Sequence, residues 1–216
     1  MRPNCIPDRP PCYPILYRLR WLPACLAFLL ALATTQGTSV VPPDFEKLVG
    51  ESDYVVRAVV KSVTAEWRVN QGHRGIFTLV ELDVKEVITG TPPQPLVLVM
   101  LGGTVGDDTL TVAGAPQFKV GDEDVLFVHG NGYNFSPLVA VMHGRYPVMR
   151  DPGTGREFIA RSNGRPLYNE NDVAQPMAEA AAPAPVVRPD ARPLSPAEFA
   201  ARIRTAANSL RARTPH

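Results

Sequence analysis

The feature that most restricts the fold is the alternation of apolar and polar residues between positions 76 and 88. Because successive side chains of a β-strand point to opposite faces, this period of two predicts a strand with one buried face. The more apolar face is assigned to the interior; it consists of Thr78, Val80, Leu82, Val84, Glu86 and Ile88. Such a strand needs neighbouring strands that pair with it and extend the apolar face into a sheet.

Further segments supply those neighbours. Residues 53–67 are rich in β-branched and aromatic residues and predict a strand, whose buried face holds Val56, Ala58, Val60 and Val63. The apolar run 96–101 predicts a third strand in the centre of the sheet, and 125–128 and 138–142 predict a fourth and a fifth. Residues 146–150 and 156–161 flank the turn sequence DPGTG and predict a hairpin. Short strands joined by Gly- and Pro-rich turns favour a closed barrel or a sandwich.

Helices are predicted only at the two ends of this region. Asp44 as N-cap and Gly50 as a stop predict one short helix over 44–52. Residues 174–194 are rich in Ala and Pro and predict a linker. Ser195 and Glu198 form a capping box that starts a helix over 195–213. Its apolar stripe is narrow, which leaves open whether it packs on the β domain, a partner or a membrane surface, or unfolds in isolation.

Residues 1–33 have the pattern of a cleaved secretory signal. Arg18 and Arg20 precede an uncharged apolar run of 13 residues. The run ends in small residues, and Ala31 and Ala33 occupy the two positions that a signal peptidase reads. Because a membrane-spanning helix needs about 20 residues, the run predicts export rather than anchoring. The expected location is the periplasm or the extracellular space. Residues 34–43 would then be a linker, 44–173 a β-barrel domain, and the mature chain would contain no transmembrane span.

Cysteine and charge distributions exclude several classes of function. All three cysteines, Cys5, Cys12 and Cys25, lie in the predicted signal, so the mature chain has no disulfide, no thiolate metal ligand and no cysteine nucleophile. Residues 34–173 carry a net charge of −5. An acidic domain of this kind lacks the basic surface that nucleic-acid binding requires.

Candidate metal ligands are few. Asp122, Glu123 and Asp124 form an acidic run that offers oxygen ligands for calcium, but the spacing of an EF-hand loop is absent. His129 and His143 each end a predicted strand, at opposite ends of an antiparallel pair, where the two imidazoles do not share an ion. The sequence therefore predicts no cofactor and no metal, with these residues as weak candidates.

The segment 131–137, NGYNFSP, offers a different kind of site. It places Tyr133, Asn134 and Phe135 on a loop between two predicted strands, where both rings are difficult to bury. Exposed aromatic residues next to asparagine are typical of contact surfaces. The alternative is that the rings cover one end of the barrel.

Three segments resemble the strands of netrin-type domains, which include the N-terminal half of the tissue inhibitors of metalloproteinases. They are SDYVVRA at 52–58, the strand that ends in VKEVITG at 84–90, and FKVGDEDVLF at 118–127. The resemblance covers about residues 44–130 and implies a small, closed or partly open OB-like β-barrel and extracytoplasmic protein binding. Inhibitors of that family chelate the zinc of their target with an N-terminal cysteine, which this chain lacks after processing, so that mechanism does not carry over.

The leading hypothesis is an exported, non-catalytic β-barrel module that binds a protein or a cell-envelope component through loops at 102–116 and 131–137. The arginine-bearing C-terminal helix would be a second contact. The alternative is an extracytoplasmic hydrolase or metal-dependent enzyme that uses His129, His143 or the carboxylates at 107–108 and 122–124. A structural component of a secretion system or a surface layer is a third hypothesis, which the sequence does not distinguish from the first.

Overall fold

A computed structural model describes residues 41–177 and 191–213. The predicted signal with Ala31 and Ala33, residues 34–40 of the first linker and the middle of the Ala/Pro-rich segment lie outside the described residues. Within the described ranges the protein is mainly β, with eight strands in two antiparallel sheets and a long helix at the C-terminal end. The predicted mainly β class is therefore confirmed.

A long hairpin organises the larger sheet. Strand β1 (Tyr54–Asn70) and strand β2 (His73–Gly90) pair along their whole lengths, and Gln71 and Gly72 make the turn with positive φ angles. The next strands are β3 (Leu96–Leu101), β4 (Gly103–Val105), β5 (Asp108–Leu110) and β6 (Glu123–Val128). After β6 come β7 (Arg145–Arg150) and β8 (Glu157–Ile159), which form the predicted hairpin. The order in the six-stranded sheet is β3-β2-β1-β6-β7-β8, and β4 and β5 form the small second sheet.

The position predicted for β3 is wrong. It was expected in the centre of the sheet because all its residues are apolar, yet it is an edge strand that pairs only with β2. Its burial alternates, with Leu96, Leu98 and Met100 buried and the residues between them partly exposed. Those partly exposed positions stay apolar, so composition alone did not distinguish an edge strand from a central one.

Each face of the six-stranded sheet has its own hydrophobic core. The inner cluster lies on the face predicted to be interior and includes Val56, Ala58, Val60, Val80 and Leu82, together with Tyr54, Leu96, Leu98, Met100, Phe118, Leu126, Val128 and Leu138. The outer cluster lies on the opposite face of β1 and β6, around Val55, Val125 and Phe127, and the helices cover it. Because both faces are buried where β1 and β6 pair, Val55 and Val56 in β1 and residues 125–128 in β6 are apolar without alternation.

The predicted fifth strand at 138–142 is also wrong. Leu138 makes a single bridge to Val128, and the chain then forms a 3-10 helix at Val141–Gly144. Ala140 and Val141 have φ angles of 47° and 58°, which a β-strand does not permit. Leu138 and Val139 are buried and the next three residues are partly buried, so the run is apolar for packing although it is not a strand.

Both predicted helices are present. Helix α1 (Phe45–Gly50) starts at Asp44, whose side chain accepts the Lys47 backbone N–H at 2.7 Å. Helix α2 (Pro196–Arg213) starts at the predicted capping box, in which Ser195 and Glu198 exchange hydrogen bonds. Between the strands and α2 lies a further 3-10 helix, Glu170–Ala174. In the described ranges, no helix has the length and apolar character that a bilayer crossing requires.

Helix α2 packs on the outer face of the sheet, which decides among the alternatives left open for it. Phe199 is fully buried and contacts the ring of Phe45 on α1, of Phe127 on β6 and of Tyr146 on β7, with centroids 5.1 to 6.1 Å apart. Ile203 is also fully buried in this cluster. Burial of an aromatic and a branched side chain supplies the stability that a helix of this length lacks on its own.

Candidate functional site

The candidate site is the loop at 129–137, called here the aromatic loop. Its base is closed where the His129 N–H donates to the Pro137 carbonyl at 2.9 Å. Gly130 starts a tight turn, and its carbonyl accepts the backbone N–H groups of Tyr133 and Asn134, both at 2.9 Å. Asp53, which precedes β1, accepts the Gly130 N–H at 2.7 Å. These short bonds fix the backbone of the loop next to the end of β6.

Asn131 joins the aromatic loop to the free edge of β3. Its side-chain carbonyl accepts the Val99 N–H at 2.9 Å, and its amide donates to the Val97 carbonyl at 2.8 Å. The Leu101 N–H donates to the Phe135 carbonyl at 2.9 Å. The loop therefore satisfies backbone groups that an edge strand would otherwise expose to solvent.

The tip of the β1–β2 hairpin holds the other side of the loop. Asn70 donates from its side chain to the Gly132 carbonyl at 2.9 Å, and Gln71 donates to the Tyr133 carbonyl at 3.1 Å. Both bonds end on backbone carbonyls, so they position the loop without using its side chains. The loop is thus attached to β3, to the hairpin tip and to Asp53.

The rings of this loop remain in solvent. Tyr133 is 79% exposed and Phe135 is 52% exposed. The alternative that both rings cover one end of the domain does not describe this geometry. Asn134 faces the inside of the turn, with its amide 3.4 Å from the His129 carbonyl, so it contributes to the shape of the loop. The arrangement presents two aromatic groups on a fixed backbone, which suits contact with another surface.

The second predicted binding loop, 102–116, is folded over the inner face of the hairpin. Gly102 and Gly103 have φ angles of 108° and 135°, and a Cβ on Gly103 would lie 2.6 Å from the Thr78 hydroxyl. The glycine pair therefore serves the sharp, close approach of β4 to the hairpin. A cavity of about 440 Å³ lies beneath the loop, lined in part by Val63, Met100 and Phe118.

The carboxylates of the acidic run 122–124 form ion pairs with arginine side chains. Asp122 and Asp124 each accept a hydrogen bond from Arg145 at 2.8 Å, and Glu123 accepts one from Arg57 at 2.5 Å. Asp124 is fully buried, and burial raises its pKa even though Arg145 acts in the opposite direction. These carboxylates hold the start of β6 to its neighbours, which explains the run without a metal ion.

Arg145 is the centre of that cluster. Its guanidinium also lies over the Phe118 ring, 4.4 Å from the centroid, and donates to the Gln117 carbonyl. A planar cation that stacks on an aromatic ring and binds two carboxylates is a typical structural arginine.

The two histidines occupy different environments. His129 is half exposed, with its Nδ1 3.4 Å from an oxygen of Asp53. His143 is buried in the 3-10 helix, where burial first and the charge of Arg161 second lower its pKa to about 4. Across the described ranges, no three side chains among His, Cys, Asp and Glu converge in a geometry that would hold a metal ion.

The arginines of α2 bind acidic and polar groups of the protein itself. Arg204 contacts Glu86 on β2, and Arg213 contacts Glu46 on α1 at 2.9 Å. Arg211 donates to the Thr89 hydroxyl at 3.1 Å. The basic side of the predicted docking helix therefore contributes to its attachment on the sheet.

Comparison with known proteins gives no family for this chain. No family model matches the sequence, and no curated protein matches it.

The sequence did not indicate all residues of the site. Tyr133 and Phe135 were predicted from their position in a polar loop, but Asn131, Asn70 and Gln71 were not singled out. Their partners are more than 30 positions away along the chain, and no periodicity marks such contacts. The turn at Gly130 is the one local signal that the loop is ordered.

Proposed function

We propose that this protein is an exported, non-catalytic binding module, and that Tyr133 and Phe135 contact a protein or another component of the cell envelope. One observation carries the proposal: a loop fixed by hydrogen bonds to three separate elements leaves two aromatic rings in solvent. Ordering a loop costs conformational entropy, and the hydrogen bonds of this loop offset that cost within the free protein. A loop ordered before binding loses less entropy when the partner arrives, which favours affinity.

Aromatic side chains are suited to this role. A ring that is buried on binding removes a large apolar area from water, and tyrosine adds a hydroxyl that hydrogen-bonds at the rim of a contact. Full burial of a Phe-sized side chain contributes roughly 1.5–3 kcal/mol. Two such rings are enough to dominate a small interface.

The same proposal includes a fold: a partly open, OB-like barrel related to netrin-type domains. It is supported by the long, irregular β1–β2 hairpin, by the inner cluster along one face of the sheet, and by Asn131, which connects the loop after β6 to β3. The motif SDYVVRA falls at the start of β1, and FKVGDEDVLF covers β6. The export part of the proposal rests on the signal pattern of residues 1–33.

The test is photo-crosslinking and capture from envelope fractions of the native host. The protein purified in its processed form is compared with Tyr133→Ala/Phe135→Ala, and bound proteins and glycans are quantified. The matched control is Val87→Ala/Met149→Ala, because these two side chains are 42% and 44% exposed on the strands. The expected result is loss of a specific partner in the loop variant alone. Equal recovery by all three proteins would refute the assignment of the loop.

A further inference from the structure

One part of β1 has an unpaired side. Strand β6 pairs with β1 only from Tyr54 to Val59, and Val60 then bonds with Gly121 and Asp122. Beyond this point β1 continues for ten residues with β2 on one side. Within the described residues, no strand pairs with the other side of positions 62–70, and no backbone bond outside the strand pairings involves them. We call this stretch the edge segment.

The edge segment has little of the usual protection of an exposed strand beyond the register shift between Val60 and Ser62 and the charges of Glu66 and Arg68, which lie 4.0 Å apart. Its sequence, SVTAEWRVN, contains no Pro, Gly or Lys, and it alternates apolar and polar residues. Trp67 is 45% exposed and Val69 is 64% exposed. An open strand edge with exposed apolar side chains is a template for pairing with another strand.

The charges of the edge segment indicate which strand would pair with it, namely the same segment of a second copy. In antiparallel pairing of two identical strands with matching faces, one residue lies opposite its own copy at the two-fold axis. With Trp67 on the axis, Glu66 of each copy lies opposite Arg68 of the other, and Ala65 lies opposite Val69. A centre on Glu66 would place two carboxylates opposite each other, and a centre on Arg68 would place two guanidinium groups together. Opposite charges across strands stabilise a pair and like charges destabilise it.

We propose that the edge segment is a dimerisation strand, through which two copies of this chain pair antiparallel with Trp67 at the two-fold axis. The pairing joins the part of β1 that extends beyond β6 in one copy to the same part in the other copy. It uses the side of β1 that faces away from β2, whereas the aromatic loop is attached to β3 and the hairpin tip. Asn70, at the end of the edge segment, also bonds to the aromatic loop, but Glu66, Trp67 and Arg68 do not, so variants at these three positions test the dimer separately from the function proposed for the loop.

The test is the dimer dissociation constant of the purified, processed protein, measured by sedimentation equilibrium. Glu66→Arg creates Arg–Arg pairs in the proposed register, and Arg68→Glu creates Glu–Glu pairs. Each change is expected to raise the dissociation constant about tenfold, because symmetry applies it twice per dimer. The double variant E66R/R68E restores opposite charges and is expected to return the constant to about the wild-type value.

The matched control reverses an exposed ion pair elsewhere, Lys47 and Glu51 on and beside α1, which lie 3.7 Å apart. K47E, E51R and their combination are expected to leave dimerisation unchanged. The proposal is overturned if the wild-type protein is monomeric throughout, or if the reversals at 66 and 68 act like the controls. It is also overturned if the double variant stays as weak as the single variants.

A second measurement covers the case in which a charge variant folds poorly. The mature chain contains no cysteine, so Trp67→Cys introduces a single thiol at the proposed axis. Oxidation is expected to convert it to a covalent dimer much faster than Met149→Cys, since Met149 is 44% exposed but lies on β7, which does not pair with β1. Equal rates for the two variants would contradict the pairing.

Discussion

Asn131→Ala tests whether one side chain holds the aromatic loop to the sheet. The substitution removes the two hydrogen bonds of 2.9 and 2.8 Å to Val99 and Val97, both partly buried. Each such bond contributes about 0.5–1.5 kcal/mol net, so the free energy of unfolding is expected to fall by about 2 kcal/mol. For a domain of this size that loss lowers the Tm by about 4–8 °C.

Two measurements check this value. Urea unfolding gives the change in free energy, and amide hydrogen exchange reports on the Val99 N–H, which is expected to exchange about 30-fold faster if the loss is local. Asn134→Ala is the control, because its amide makes one bond of 3.4 Å, and a loss below about 0.5 kcal/mol is expected for it. If Asn131→Ala is no more destabilising than Asn134→Ala, or if protection at Val99 is unchanged, the loop is not held as described.

Three further predictions concern the core. Because burial lowers the pKa of His143 to about 4, the unfolded chain binds its proton at higher pH than the folded chain. The free energy of unfolding should therefore fall by about 3 kcal/mol between pH 6.5 and 4, and His143→Gln should remove that component in urea titrations across this range. Arg145→Met leaves the buried Asp124 without its partner and is expected to cost about 4 kcal/mol, whereas addition of Asp124→Asn should recover part of it in a double-mutant cycle. Phe199→Ala should cost about 4 kcal/mol by calorimetry, while the exposed Thr205→Ala stays within about 0.5 kcal/mol; equal effects of the two would contradict the docking of α2.

The outcome at the individual elements shows where sequence patterns are reliable. The alternation at 76–88 correctly placed Val80 and Leu82 on the inner face, since a period of two follows directly from strand geometry. Ile88, predicted for the same face, packs in the outer cluster, because a register shift in the β1–β2 pairing interrupts the alternation there. The caps at Asp44 and Ser195 correctly marked where helices begin, because capping hydrogen bonds are local. Apolar runs without alternation were less reliable: 96–101 is an edge strand, and 138–142 forms one bridge, a turn and the start of a 3-10 helix.

The same distinction applies to the candidate site. The sequence alone indicated Tyr133 and Phe135, because a short polar loop between apolar segments has little room to bury two rings. It did not indicate that Asn131 binds β3, that Arg145 pairs with both Asp122 and Asp124, or that one side of β1 is open. Local geometry, capping and periodicity depend on neighbours within a few positions, so the sequence determined them by itself. Sheet order, loop attachment and the pairing of buried charges depend on contacts between distant residues, and these only the tertiary structure decided.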